Sequence, residues 1–150
     1  MKKIFILICL ISLAHYTQAQ SATDSVKQVV NQLFTAMKTS DPVLLQQCFA
    51  DSAILQTIAM NKEGKTIVRN ESVAAFAASI SKAPAGALDE RIEFDVVKTD
   101  GTLAIAWTPY QFFLNGNFSH CGVNSFQLVR FNGQWKIQYL IDTRRRTGCR

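Results

Sequence analysis

The stretch Leu103–Ile141, LAIAWTPYQFFLNGNFSHCGVNSFQLVRFNGQWKIQYLI, decides the fold. It holds three long runs rich in β-branched and aromatic residues, separated by Asn115-Gly116-Asn117 and by Asn132-Gly133. Asn and Gly supply the positive backbone angles that tight hairpin turns require, so runs joined by them fold back as antiparallel neighbours. Strands are predicted from Leu103 to about Leu114, from Ser119 to Phe131 and from Gln134 to Ile141. Just upstream, Ile92, Phe94 and Val96 alternate with Arg91, Glu93 and Asp95. That period of two adds another strand, turned at Asp100-Gly101. Pro109 lacks an amide hydrogen, which predicts an edge or a bulge at its position.

Toward the N-terminus the apolar period lengthens to that of a helix. Val26, Val29, Val30, Leu33, Phe34 and Met37 form one stripe, which Ser21 or Thr23 can cap. Asp41-Pro42 starts a second helix, with Leu44, Leu45, Cys48 and Phe49 turned inward. Ala53–Met60 reads as a strand and Thr66–Arg69 as another, around a turn at Asn61–Gly64. A third helix follows Asn70, its expected cap, with Val73, Phe76, Ala77 and Ile80 as its stripe. Helices followed by an antiparallel meander make an α+β domain.

The chain opens with Lys2 and Lys3, then an almost uninterrupted apolar run, Ile4–Ala14, then Thr17-Gln18-Ala19. This is the pattern of a secretory leader, residues 1–19, cut after a small residue. The run is shorter than the roughly 20 residues a bilayer span needs. The reading is therefore a secreted or periplasmic protein, residues 20–150, with no stable membrane insertion after cleavage. Lys2, Lys3 and the four arginines at 144, 145, 146 and 150 account for six of the sixteen basic residues, leaving ten against eleven acidic groups between Gln20 and Thr143. The positive net charge belongs to the two ends, which argues against nucleic acid as a partner.

Beyond the leader stand Cys48, Cys121 and Cys149. Cys48 falls in the apolar phase of a helix and reads as core. Cys121 with Cys149 is the pair to consider for a disulfide, which an exported compartment permits. No Cys-x-x-Cys occurs, and His120 is the sole histidine after the leader. Neither a metal nor another cofactor is expected.

The element order, together with Trp107–Phe113 (WTPYQFF), His120–Arg130 (HCGVNSFQLVR) and Gly133–Ile137 (GQWKI) leading to Leu140–Arg145 (LIDTRR), resembles the nuclear transport factor 2-like superfamily. Within it the chain is similar to the lumazine-binding, polyketide-cyclase-like (SnoaL-like) branch. The resemblance implies a cone-shaped fold, three N-terminal helices packed on a curved, mostly antiparallel sheet. It also implies a small, partly apolar ligand in the cone. A homodimer is expected separately, because apolar residues such as Phe112, Phe113, Phe126 and Leu128 fall on both faces of the sheet and three helices cannot cover both. Ketosteroid isomerase-like members of the superfamily use a carboxylate base beside a tyrosine and a neutral carboxylic acid. Aligning the first-helix turn and Phe49-Ala50-Asp51 places those three groups near Thr57, Leu33 and Gln127, none of which carries the chemistry.

Three classes of function follow. A binder would hold its ligand with Trp107, Tyr110, His120, Asn124 and Arg144. An enzyme of the isomerase, dehydratase or cyclase kind would use His120 as base, assisted by Tyr110 and Asp142. A non-catalytic domain would dimerise through its sheet, which carries apolar residues on both faces. His120, Gly122 and Asn124 share one strand face, and Gly122, lacking a side chain, is expected to leave room for a ligand. Asp142 is equally expected to pair with an arginine. The leader makes a direct prediction: sequencing the exported protein should begin at Gln20 or within a few residues of it, and an intact Met1 would reject export.

Overall fold

The computed structural model describes residues 21–149, so the expected leader lies outside the described residues. Helix α1 spans Ala22–Thr39 and α2 spans Pro42–Cys48. Strands β1 (Phe49–Met60) and β2 (Thr66–Glu71) form a hairpin, followed by α3 (Val73–Ile80). Then come β3 (Leu88–Ile92), β4 (Val96–Asp100), β5 (Leu103–Leu114), β6 (Asn117–Phe131) and β7 (Gln134–Thr143). The strands make one sheet in the order β2-β1-β7-β6-β5-β3, with β4 also on β5. All pairings are antiparallel except that of β1 with β7. The α+β class holds, and the elements follow the expected order: two helices precede the sheet and the third follows the β1–β2 hairpin, so the three are not one N-terminal group.

Local chemistry sets the helix boundaries. The Ser21 hydroxyl accepts from the Asp24 amide at 3.1 Å, and Ser40 ends α1 with a left-handed φ of 56°. One Asp41 carboxylate oxygen accepts from the amides of Val43 and Leu44, with Pro42 filling the first turn. At α3 the cap is Ser72, whose hydroxyl accepts from Ala75, rather than Asn70. Asn70 lies in β2, its side-chain oxygen accepting from Gln56 of β1 at 2.8 Å.

The strand expected around Ile92–Val96 is two strands, and Pro109 explains the break. Ile92 pairs with Tyr110 and Val96 with Trp107, so three residues on one side face two on the other. The Pro109 carbonyl accepts from Glu93 there. A residue's N–H and C=O leave a strand on the same side, so the missing Pro109 donor falls on that seam and the ladder bulges.

The inner face of the sheet receives α1. Val26, Val30, Leu33, Phe34 and Met37 are buried with Ala104 and Ala106 of β5, Phe126 and Leu128 of β6, and Ile137 of β7. The two alanines let the helix approach closely, and Phe34 meets Phe126 edge-on with centroids 6.3 Å apart. Cys48 is buried as expected, and burial pushes its thiol up to about 11. Cys121 and Cys149 form a disulfide, and the backbone of Arg145 pairs with that of Cys121, so the tail lies along β6.

Gly122 does not leave room for a ligand. A Cβ there would stand 1.8 Å from the Thr143 carbonyl oxygen and 2.7 Å from the Tyr110 ring. The space is already taken by the end of β7, whose Thr143 carbonyl accepts the Tyr110 hydroxyl at 2.9 Å. Gly122→Ala must therefore push β7 away and lose that bond. Urea unfolding should show a loss of about 3–4 kcal/mol; a variant as stable as the natural chain would mean that Thr143 does not sit there.

Candidate functional site

Register across the sheet lines up the polar side chains in two rows. Thr57 of β1 pairs with Asp142 of β7, Asp142 with Asn124 of β6, and Asn124 with Thr108 of β5. Farther along the same face, Glu90 of β3 pairs with Phe112 of β5, and Phe112 with His120 of β6. On the other side of the first row lies a wholly apolar one, Leu55, Leu140, Phe126 and Ala106. The polar rows thus begin where the apolar packing ends. Between them and the helices is a cavity of about 280 Å³. Leu33, Phe34 and Met37 of α1 and Phe76 and Ile80 of α3 line its apolar part. Its polar part is made by Thr57, Glu71, Glu90, Tyr110, His120, Asn124, Asp142 and Arg144.

Asp142, 8% exposed, is the most heavily engaged of these groups. One oxygen accepts from the Thr57 hydroxyl at 2.5 Å. The other accepts from Arg144 Nε at 2.9 Å and lies 3.3 Å from the Tyr110 hydroxyl. Arg144 also donates to the Thr57 oxygen at 3.2 Å, closing a ring of three side chains. The expected pairing of Asp142 with an arginine is thus present, and its charge is matched within the site. Burial, with the charges of Glu90 and Asp142, holds the Tyr110 phenol above its usual range. Tyr110 therefore stays protonated and acts as a donor.

His120 sits against aromatic rings. Its centroid is 5.0 Å from that of Phe112 and 5.8 Å from that of Tyr110, the latter perpendicular. Its Nδ1 is 3.1 Å from the Ser119 hydroxyl. Burial and the positive charge of Arg144 lower its proton affinity, leaving a neutral ring at neutral pH. Among the described residues no hydrogen bond joins His120 to Asp142 or to the Tyr110 hydroxyl.

Glu90 was not singled out by the sequence, although a signal was there. Extending the alternation of Ile92 back by two and four residues gives Glu90 and Leu88, so this carboxylate occupies an inward phase. One oxygen accepts from the Asn124 amide at 2.8 Å. Burial raises its proton affinity to about 7, the Asn124 bond opposes this, and the Asp142 charge adds to it. Of the residues expected at the site, Tyr110, His120, Asn124, Asp142 and Arg144 all line this cavity. Trp107 does not. It is odd-phased on β5, beside the outward Ile105, and is 46% exposed on the opposite sheet face. Of the three positions aligned with the isomerases, Leu33 and Thr57 line the cavity, while Gln127 is exposed. No group of three or more His, Cys, Asp or Glu among the described residues is arranged to hold a metal ion.

Known structures share this fold at low sequence identity. An NTF2-like protein of unknown function from Shewanella baltica OS155 superimposes with a TM-score of 0.65 at 13% identity, covering 89% of this chain and 99% of its own. An NTF2-like protein of unknown function from Silicibacter pomeroyi DSS-3 gives 0.62 at 19% identity, with 81% and 93% covered. A domain of unknown function with a cystatin-like fold from Nostoc punctiforme PCC 73102 gives 0.65 at 19%, with 85% and 80% covered. At these identities the likeness shows the fold alone. No functionally curated protein matches the chain. The sequence profile described as "Putative lumazine-binding" matches residues 21–139, most of the chain. With that match over most of its length, this chain belongs to the putative lumazine-binding family, and its fold is the one shared by NTF2-like proteins.

Proposed function

We propose that this is an exported protein that binds a small, partly apolar molecule in the cone-like space between its helices and sheet. The cavity itself carries the reading: apolar side chains from two helices and the sheet line one part of it, and polar groups fixed by the sheet converge on the other, as in a site that both buries and orients a small molecule. The family's description points the same way. Export is supported by the apolar leader and by the Cys121–Cys149 bond, which suits an oxidising compartment. Binding is favoured over catalysis because His120 has Ser119 on its Nδ1, while Asp142 is occupied by Thr57 and Arg144. Among the described residues no hydrogen bond links His120 to a carboxylate that would orient it as a general base.

A homodimer belongs to the same proposal. The outer sheet face exposes Val96, Leu103, Ile105 and Trp107 on the paired strands β4 and β5. Contiguous apolar surface of this kind marks a contact face. Native mass spectrometry of the exported protein tests both halves at once. The expected species is a dimer carrying a small organic molecule per subunit, released on denaturation. A bare monomer from every preparation would count against the proposal.

The retention of Glu90 in a cavity wall gives a further check. A carboxyl whose proton affinity is raised on folding stabilises the fold most below its unfolded value of 4.5, and that contribution is lost as pH rises through about 7. Glu90→Gln keeps an acceptor for Asn124 and removes the charge. The variant should match the natural chain near pH 4 and exceed it by about 1–3 kcal/mol near pH 8. Equal stability at both pH values would mean that Glu90 is solvated, not part of the cavity.

A further inference from the structure

The cavity carries an unbalanced set of charges. Three carboxylates line it, those of Glu71, Glu90 and Asp142, against the single guanidinium of Arg144. Arg144 is committed to Asp142 at 2.9 Å and to Thr57, so it has little charge left to offer an anion. Glu90 has no such partner. One of its oxygens takes the Asn124 amide, and among the described residues no donor reaches the other. The rings of Phe112 and Tyr110 flank the same part of the cavity, on the strand paired with that of Glu90, and neutral His120 lies beyond them.

We propose that the ligand of this cavity is an organic cation, a protonated amine on a small apolar or aromatic body, whose nitrogen lies against Glu90 and whose body lies among the apolar side chains of α1 and α3. This rests on the small-molecule reading above and narrows it to a substrate class. Each property of the site selects for it. A half-buried carboxylate in a cavity wall loses part of its hydration, and a cation beside it offsets that loss. Aromatic faces attract the same charge. A carboxylate ligand would face Glu90 and Glu71, while Arg144, the one cation among the described residues that line the cavity, is already paired with Asp142. A neutral alcohol would leave the Glu90 charge uncompensated. The volume also fits: a cavity of about 150 Å³ accepts benzene, so about 280 Å³ suits a molecule of roughly ten non-hydrogen atoms.

The groups facing Glu90 fix how binding depends on pH. Tyr110 of β5 is a protonated phenol, Asn124 of β6 is uncharged, burial and Arg144 hold the proton affinity of His120 on β6 below its usual range, Asp142 of β7 is matched by Arg144, and Glu71 lies on β2. Lys38 of α1 is bound to Asp89 instead. Glu90 is thus the group that changes charge near neutrality, and the amine should bind best when it is ionised. Because an ammonium stabilises the ionised carboxylate, binding below that point should release a proton.

Three probes of one shape and different charge test this on the mature chain: phenethylamine, 2-phenylethanol and phenylacetate, titrated by calorimetry and ligand-observed magnetic resonance. Near pH 8 phenethylamine should bind about tenfold more tightly than the alcohol, with phenylacetate weakest. Lowering the pH to about 6 should weaken the amine several-fold and leave the alcohol unchanged. Glu90→Gln should abolish both the preference for the amine over the alcohol and its pH dependence. The pH series on the natural chain stands by itself if that variant folds poorly. Equal or better binding of the alcohol or the acid would overturn the cation proposal and leave the small-molecule reading intact. A preference for the amine that survives Glu90→Gln would remove Glu90 from it. If none of the three binds, the cavity reading fails and takes this inference with it.

Discussion

The pairing of the first strand with the last is the constraint on which the site depends. It is the one parallel contact in an otherwise antiparallel sheet, and it joins residues far apart in the chain. Without it, β7 would be a sheet edge and Asp142 would stand at a solvated border. With it, Thr57 lies beside Asp142, Leu55 beside Leu140, and the β1–β2 hairpin becomes a wall of the cavity. Such a contact forms only after most of the chain is in place, because closing so long a loop costs entropy that local turns do not. The hairpins of the meander need only local turns, whereas the polar row also needs strands from opposite ends of the fold.

Much of the meander was legible because its turns are written in Asn and Gly. Asn115 and Asn132 both adopt positive φ, and the strands they separate are those that the alternation marks. The stripe of α1 was equally plain, since five of its members are buried. The same alternation placed His120 and Asn124 on one face and Tyr110 on the neighbouring strand. Other features were written in distance rather than in pattern. Nothing local to Thr57 or Asp142 says that β1 and β7 will meet. Nor does the glycine at 122 reveal whether its empty side belongs to a ligand or to a backbone; the Thr143 carbonyl decides that.

Strand phase decides the place of two residues. Trp107 was grouped with Tyr110 for its aromatic character, though three positions along a strand is an odd step and reverses the face. Glu90 stands two positions from Ile92, an even step that keeps its face. The energetic reason to prefer phase is that a one-residue slip would turn an entire strand inside out, whereas one carboxylate in a wall can be accommodated by an amide such as that of Asn124.

The interruption opposite Pro109 also governs how such sheets meet one another. A straight, unpaired edge is a template on which a second molecule can add strands without limit. Here one edge is broken into β3 and β4 with a bulge between them, and the other, β2, is short and carries Arg69 and Glu71. Growth by edge addition is therefore blocked at both sides, while the broad flank around Trp107 stays open to a facing partner. A two-fold contact through such a flank would use the same face of both molecules and stop at a pair. A single missing amide hydrogen thus helps keep a seven-stranded sheet from becoming the seed of a fibre.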